Sequence, residues 1–143
     1  MKLIKKIAIF NLVFFIPLSA FSSGIDPIGI DNHEKISDAS SYCSSIYRMA
    51  QGEGLGYMVY DNDQENIETL NETQNIIVNR QISDNDADKI LLHGAVSGTT
   101  RSVYFSKMIS DYEEDKKASI IEESVDNCRA SVNDFNRLLN EVY

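Results

Sequence analysis

Histidine is nearly absent from this 143-residue chain: only His33 and His93 are present. A zinc centre or a histidine-activated nucleophile needs histidine at set spacings. Neither residue lies in a His-Glu-x-x-His pattern or near a Gly-x-Ser-x-Gly turn, so no catalytic constellation and no cofactor is expected. The idea that Glu53 and His93 act together in an enzyme stays as a third-ranked reading. Basic residues are also scarce, 13 against 22 acidic ones. That balance disfavours nucleic acid and anionic lipid as partners and favours solubility, a basic protein or a cation. Apart from its first residues the chain has no long apolar run.

Those first residues carry Lys2, Lys5 and Lys6, then the apolar run Ile7 to Leu18, then small residues at Ala20 and Ser22. This is the grammar of a signal peptide, too short and too interrupted, at Asn11 and Pro17, to span a bilayer. Cleavage is expected after Ser22, giving a leader over 1–22 and no stable membrane association afterwards. The short lysine-rich start points to a bacterial periplasm or to secretion. Losing the leader takes three of the 13 basic residues and none of the acids, so the mature chain carries −12.

Only two cysteines exist, Cys43 and Cys128. An even count in an oxidising compartment implies a bridge. The remaining length suits one domain over 36–143, preceded by an extended arm over 23–35 that carries Pro27 and Gly29.

Apolar residues at Ile36, Ala39, Cys43, Ile46, Tyr47 and Ala50 predict a first helix. A second is expected from about Glu65 to Arg80, weakened by the β-branched run Ile76-Ile77-Val78. A third starts after Ser83 and is expected to end by about Gly98. A fourth, aromatic-rich helix through Val103, Tyr104, Phe105, Met108, Ile109 and Tyr112 is expected to supply much of the core. The last helix is the clearest, because Ile121, Val125, Cys128, Val132, Phe135, Leu139 and Val142 alternate steps of four and three. Its regularity also admits a homodimer. Both cysteines fall on apolar stripes, so the expected fold is all-α, an irregular bundle of four to five helices with the first and last linked by a disulfide.

Asp61, Asp63, Glu65 and Glu72 occupy positions 1, 3, 5 and 12 of an EF-hand-like calcium loop. Asn66 stands where that loop needs glycine and Glu68 where it needs an apolar residue, so a solvated helix cap is the plainer reading. The segment Gly52-Glu53-Gly54-Leu55-Gly56 lacks the spacing of a phosphate loop. With Tyr57, Met58 and Tyr60 it is the preferred contact surface, tyrosine and methionine being frequent at interface cores. The plainer alternative packs those tyrosines on the core.

With no catalytic set, the expected function is binding: a periplasmic inhibitor or immunity protein that occludes another protein. An acid-stress periplasmic chaperone is the alternative, followed by a helical domain that binds a small ligand or calcium.

Overall fold

The computed structural model describes residues 26–143; the expected leader lies outside them. Four α-helices, α1 (Ile30–Gly52), α2 (Asp61–Gln81), α3 (Asp84–Ile109) and α4 (Glu114–Val142), form an all-α bundle, with a 3-10 turn at Gly56–Met58 between α1 and α2. No strand occurs among the described residues.

α1 is the hub. It packs against α3, α4 and α2, and α2 also packs on α4, whereas α3 has α1 as its principal neighbour. Ile36, Ile46, Tyr47, Ile67, Leu70, Ile121, Val125, Val132 and Leu139 form the core, each almost fully buried. The alternating stripe of α4 is therefore spent inside the fold. Its Ile121, Val125, Cys128, Val132 and Leu139 are buried, and a homodimer seam on that face is not open.

Cys43 and Cys128 are bonded, with their Cα atoms 5.4 Å apart and a sequence separation of 85. Bridging so long a loop stabilises the fold by roughly 4 to 5 kcal/mol on the chain-entropy account. The bond joins the first helix to the last, as the two apolar stripes imply.

Three expectations need correction. The arm expected over 23–35 is helical from Ile30. Gly29 takes φ 78 and starts the helix, its carbonyl accepting from the His33 amide at 3.3 Å. The first turns escape apolar periodicity because a histidine, His33, does their burying.

The break expected at Gly98 is also absent, and α3 runs on to Ile109. Gly94 and Gly98 are contact points rather than stops. A Cβ on Gly94 would fall on the Ser37 side chain and 2.8 Å from the Asp38 amide, and one on Gly98 would fall on the Asp38 carbonyl and 2.7 Å from Ser41 Cβ. Hydrogen in place of side chains at i and i+4, continued by the buried Ser102, lets the α3 backbone lie directly on α1. That close packing repays the helix propensity lost at the glycines, about 1 kcal/mol each.

The aromatic-rich segment, finally, is not a core helix of its own. Ile109 is buried and Phe105 packs at the core edge, but Val103, Tyr104 and Met108 are exposed.

A polar layer supports α1 on α2. The buried Gln74 amide donates to the His33 carbonyl at 2.7 Å and to Ser37 Oγ at 2.6 Å. At the same end His33 lies 3.3 Å from Asp26, and the Tyr143 hydroxyl donates to Asp26. Burial pulls the Asp26 carboxyl up, but the bond from Tyr143 and the charge of His33 outweigh it, and its pKa is lowered. The first described residue is thus clasped to the last.

Candidate functional site

The connection between α1 and α2 holds the sequence's preferred contact residues. α1 ends with Gly52, the chain reverses through Gly54 at φ 76, and the Leu55 amide donates back to the Ala50 carbonyl at 2.7 Å. Leu55 and Val59 turn inward onto the core. With those two inside, Tyr57 between them and Tyr60 just after them face out, 72% and 60% exposed. Gly52, Glu53 and Gly54 are exposed and Met58 is half-buried. The alternative that packs both tyrosines on the core does not hold.

The loop is pinned at two points. At its start the Lys117 ammonium lies 2.6 Å from the Glu53 carboxylate. At its end Asp63, 3% exposed, accepts from Arg129 Nε and Nη2, both at 2.8 Å, and from the Tyr60 amide at 2.9 Å. The Asp63 amide donates in return to the Tyr60 carbonyl, so Asp63 caps α2. Arg129 Nη2 also donates to the Met58 carbonyl at 3.0 Å, Nη1 lies 2.6 Å from Asp126, and the guanidinium sits 4.5 Å from the Tyr60 ring centre. One arginine thus grips the loop through backbone, carboxylate and aromatic face, a planar multi-donor role that lysine cannot copy. Burial raises the Asp63 pKa, yet the bonds from Arg129 and the Tyr60 amide win and hold it below the ordinary range.

Tyr57 stands as a ridge between two clefts. One, about 270 Å³, is edged by Glu53, Glu114 and Asp115, with Lys117 paired to Glu53. The other, about 100 Å³, is edged by Glu122 and Asp126, with Arg129 beside Asp126. An exposed aromatic between carboxylate-edged recesses suits the basic side chains of a partner, through ion pairing and cation–π contact.

The calcium candidates do not converge. Asp61, Asp63, Glu65 and Glu72 all lie on the regular helix α2, where residues two apart diverge around the axis, and Asp63 is held by Arg129. Among the described residues no group of three or more His, Cys, Asp or Glu side chains is placed to hold a metal. Glu53 and His93 are not brought together either: His93 lines a separate groove of about 590 Å³ among α1, α3 and α4, where Arg101 is paired with Asp38.

Sequence reading missed the Asp63–Arg129 pair. The available signal was register: Cys128 faces α1, and the next residue of a helix turns about 100° away, toward α2 and its loop.

No protein-family model matches the chain, and comparisons with curated proteins and with solved structures also find no match.

Proposed function

We propose that this chain is an exported binding protein, an inhibitor or immunity protein that docks on a basic surface of another protein through Tyr57 and Tyr60. The observation carrying the reading is the exposure of two tyrosines on a loop fixed at both ends by ion pairs. A loop that is already ordered loses little conformational entropy on docking, and tyrosine offers a large, stiff contact area. The acidic cleft edges set the sign of the partner's charge. Export is supported by the leader-like first residues and by the Cys43–Cys128 bridge, a bond that persists in oxidising compartments.

Affinity capture with the mature, oxidised chain at neutral pH, from periplasmic and extracellular fractions, tests the reading. One stoichiometric basic partner is expected. Many weak clients held only at low pH would replace the proposal with the acid-stress chaperone.

A further inference from the structure

Helix α3 is apolar on two sides. Its inner side is used against α1 through Gly94, Gly98 and Ser102. Its outer side carries Leu92, Val96 and Val103, 68%, 57% and 48% exposed, which with Thr99 follow the four-three-four spacing of a helix–helix seam. Of the large apolar side chains exposed among the described residues, half belong to α3: these three together with Tyr104 and Met108. The only substantial packing of α3 among the described residues is on α1, so none of them covers this seam.

The charge along α3 says what does. On the seam side Asp88 stands four residues before Leu92 and Lys107 four after Val103, while Arg101 is paired with Asp38 toward α1 and Lys89 with Asp86; no acid occurs between Asp88 and Asp111. A helix negative at its start, positive at its end and apolar between is complementary to its own reverse. Set antiparallel about a two-fold axis near the helix middle, Leu92 meets Val103 of a second copy and Lys107 approaches the second copy's Asp88. The helix dipoles oppose one another favourably. The same arrangement joins two strongly acidic molecules with no facing row of carboxylates, since the seam itself has none.

We propose that the outer face of α3 is an interaction surface for a second copy of this chain, forming an isologous antiparallel dimer that leaves the Tyr57–Tyr60 loop free. The inference does not depend on what that loop binds.

Sedimentation equilibrium of the mature, oxidised protein at about 100 µM tests it. The wild type is expected at twice the monomer mass. Val96→Lys, at an exposed position, is expected to be monomeric, with a melting temperature that matches the wild type at dilutions where the wild type is also dissociated and falls below it at higher concentration. Lys107→Glu is expected to weaken association at least about tenfold, and adding Asp88→Lys to restore it to within about threefold, because the swap re-forms the antiparallel pair. A wild type that stays monomeric, a dimer untouched by Val96→Lys, or a monomer that sediments instead with phosphatidylglycerol vesicles overturns the proposal.

Discussion

Asp63 and Arg129 are 66 residues apart in sequence and meet in a two-pronged ion pair beneath an exposed loop. Asp63 is nearly inaccessible, whereas the Arg129 side chain is 26% exposed, so the two ends of the pair are unequal. Removing the arginine strands a buried carboxylate, while removing the acid leaves a cation that can reach water.

Arg129→Met is therefore expected to cost about 3 kcal/mol and Asp63→Asn less, with the double variant losing clearly less than the sum. The sign of the pH effect follows from the depressed Asp63 pKa. Its contribution is complete above the ordinary carboxyl value of 3.8 and is lost as pH falls through the lower, folded value. Asp63→Asn should flatten the acid limb of the stability profile, read by denaturant unfolding at about pH 7 and about pH 3. An unchanged acid limb would mean the pair contributes nothing.

The fold was legible where one short-range pattern carried it. The spacing of Ile121 through Val142 announced α4, and cysteines on two apolar stripes announced the link between the first and last helices. Gly94 and Gly98 were misread because glycine is locally a helix breaker, and only the approach of Ser37 and Asp38 from another helix shows why it is needed. The break between α1 and α2 was placed by its glycines. The exposure of the loop was not, because Leu55 and Val59 decide which way it faces. Asp63 was legible as part of the cap of α2, which it is, but not as the partner of Arg129, which is remote in sequence.

Gly98→Ala gives a test of that packing in which the sign alone decides. On a free helix surface alanine would stabilise by about 1 kcal/mol. Here its methyl meets the Asp38 carbonyl and Ser41, and overpacking of this kind is expected to give a net loss of about 2 kcal/mol. At Gly52 nothing lies within 4 Å of an added Cβ, so Gly52→Ala should be neutral or stabilising. Thermal melts of the two variants provide the comparison.

Tyr47 is fully buried, and its hydroxyl has no hydrogen-bond partner among the described residues. Burial, with the nearby Asp63 charge, pushes its pKa up to about 12 from 10.0. A raised phenol favours the fold below the unfolded value and loses that contribution as pH rises through the folded one. Stability should therefore fall between pH 10 and about 12, and Tyr47→Phe should reduce that alkaline loss. Tyrosinate absorbance followed alongside unfolding should show one late-titrating tyrosine missing from the variant.

The direct test of the account is paired affinity capture at neutral pH with the wild-type mature chain and the Tyr57→Ala/Tyr60→Ala variant, whose altered side chains are exposed and leave the core intact. The account predicts that the wild type holds one basic protein in stoichiometric amount and that the variant, equally folded, does not. A variant that retains the partner as well as the wild type contradicts the assignment of this loop as the binding surface.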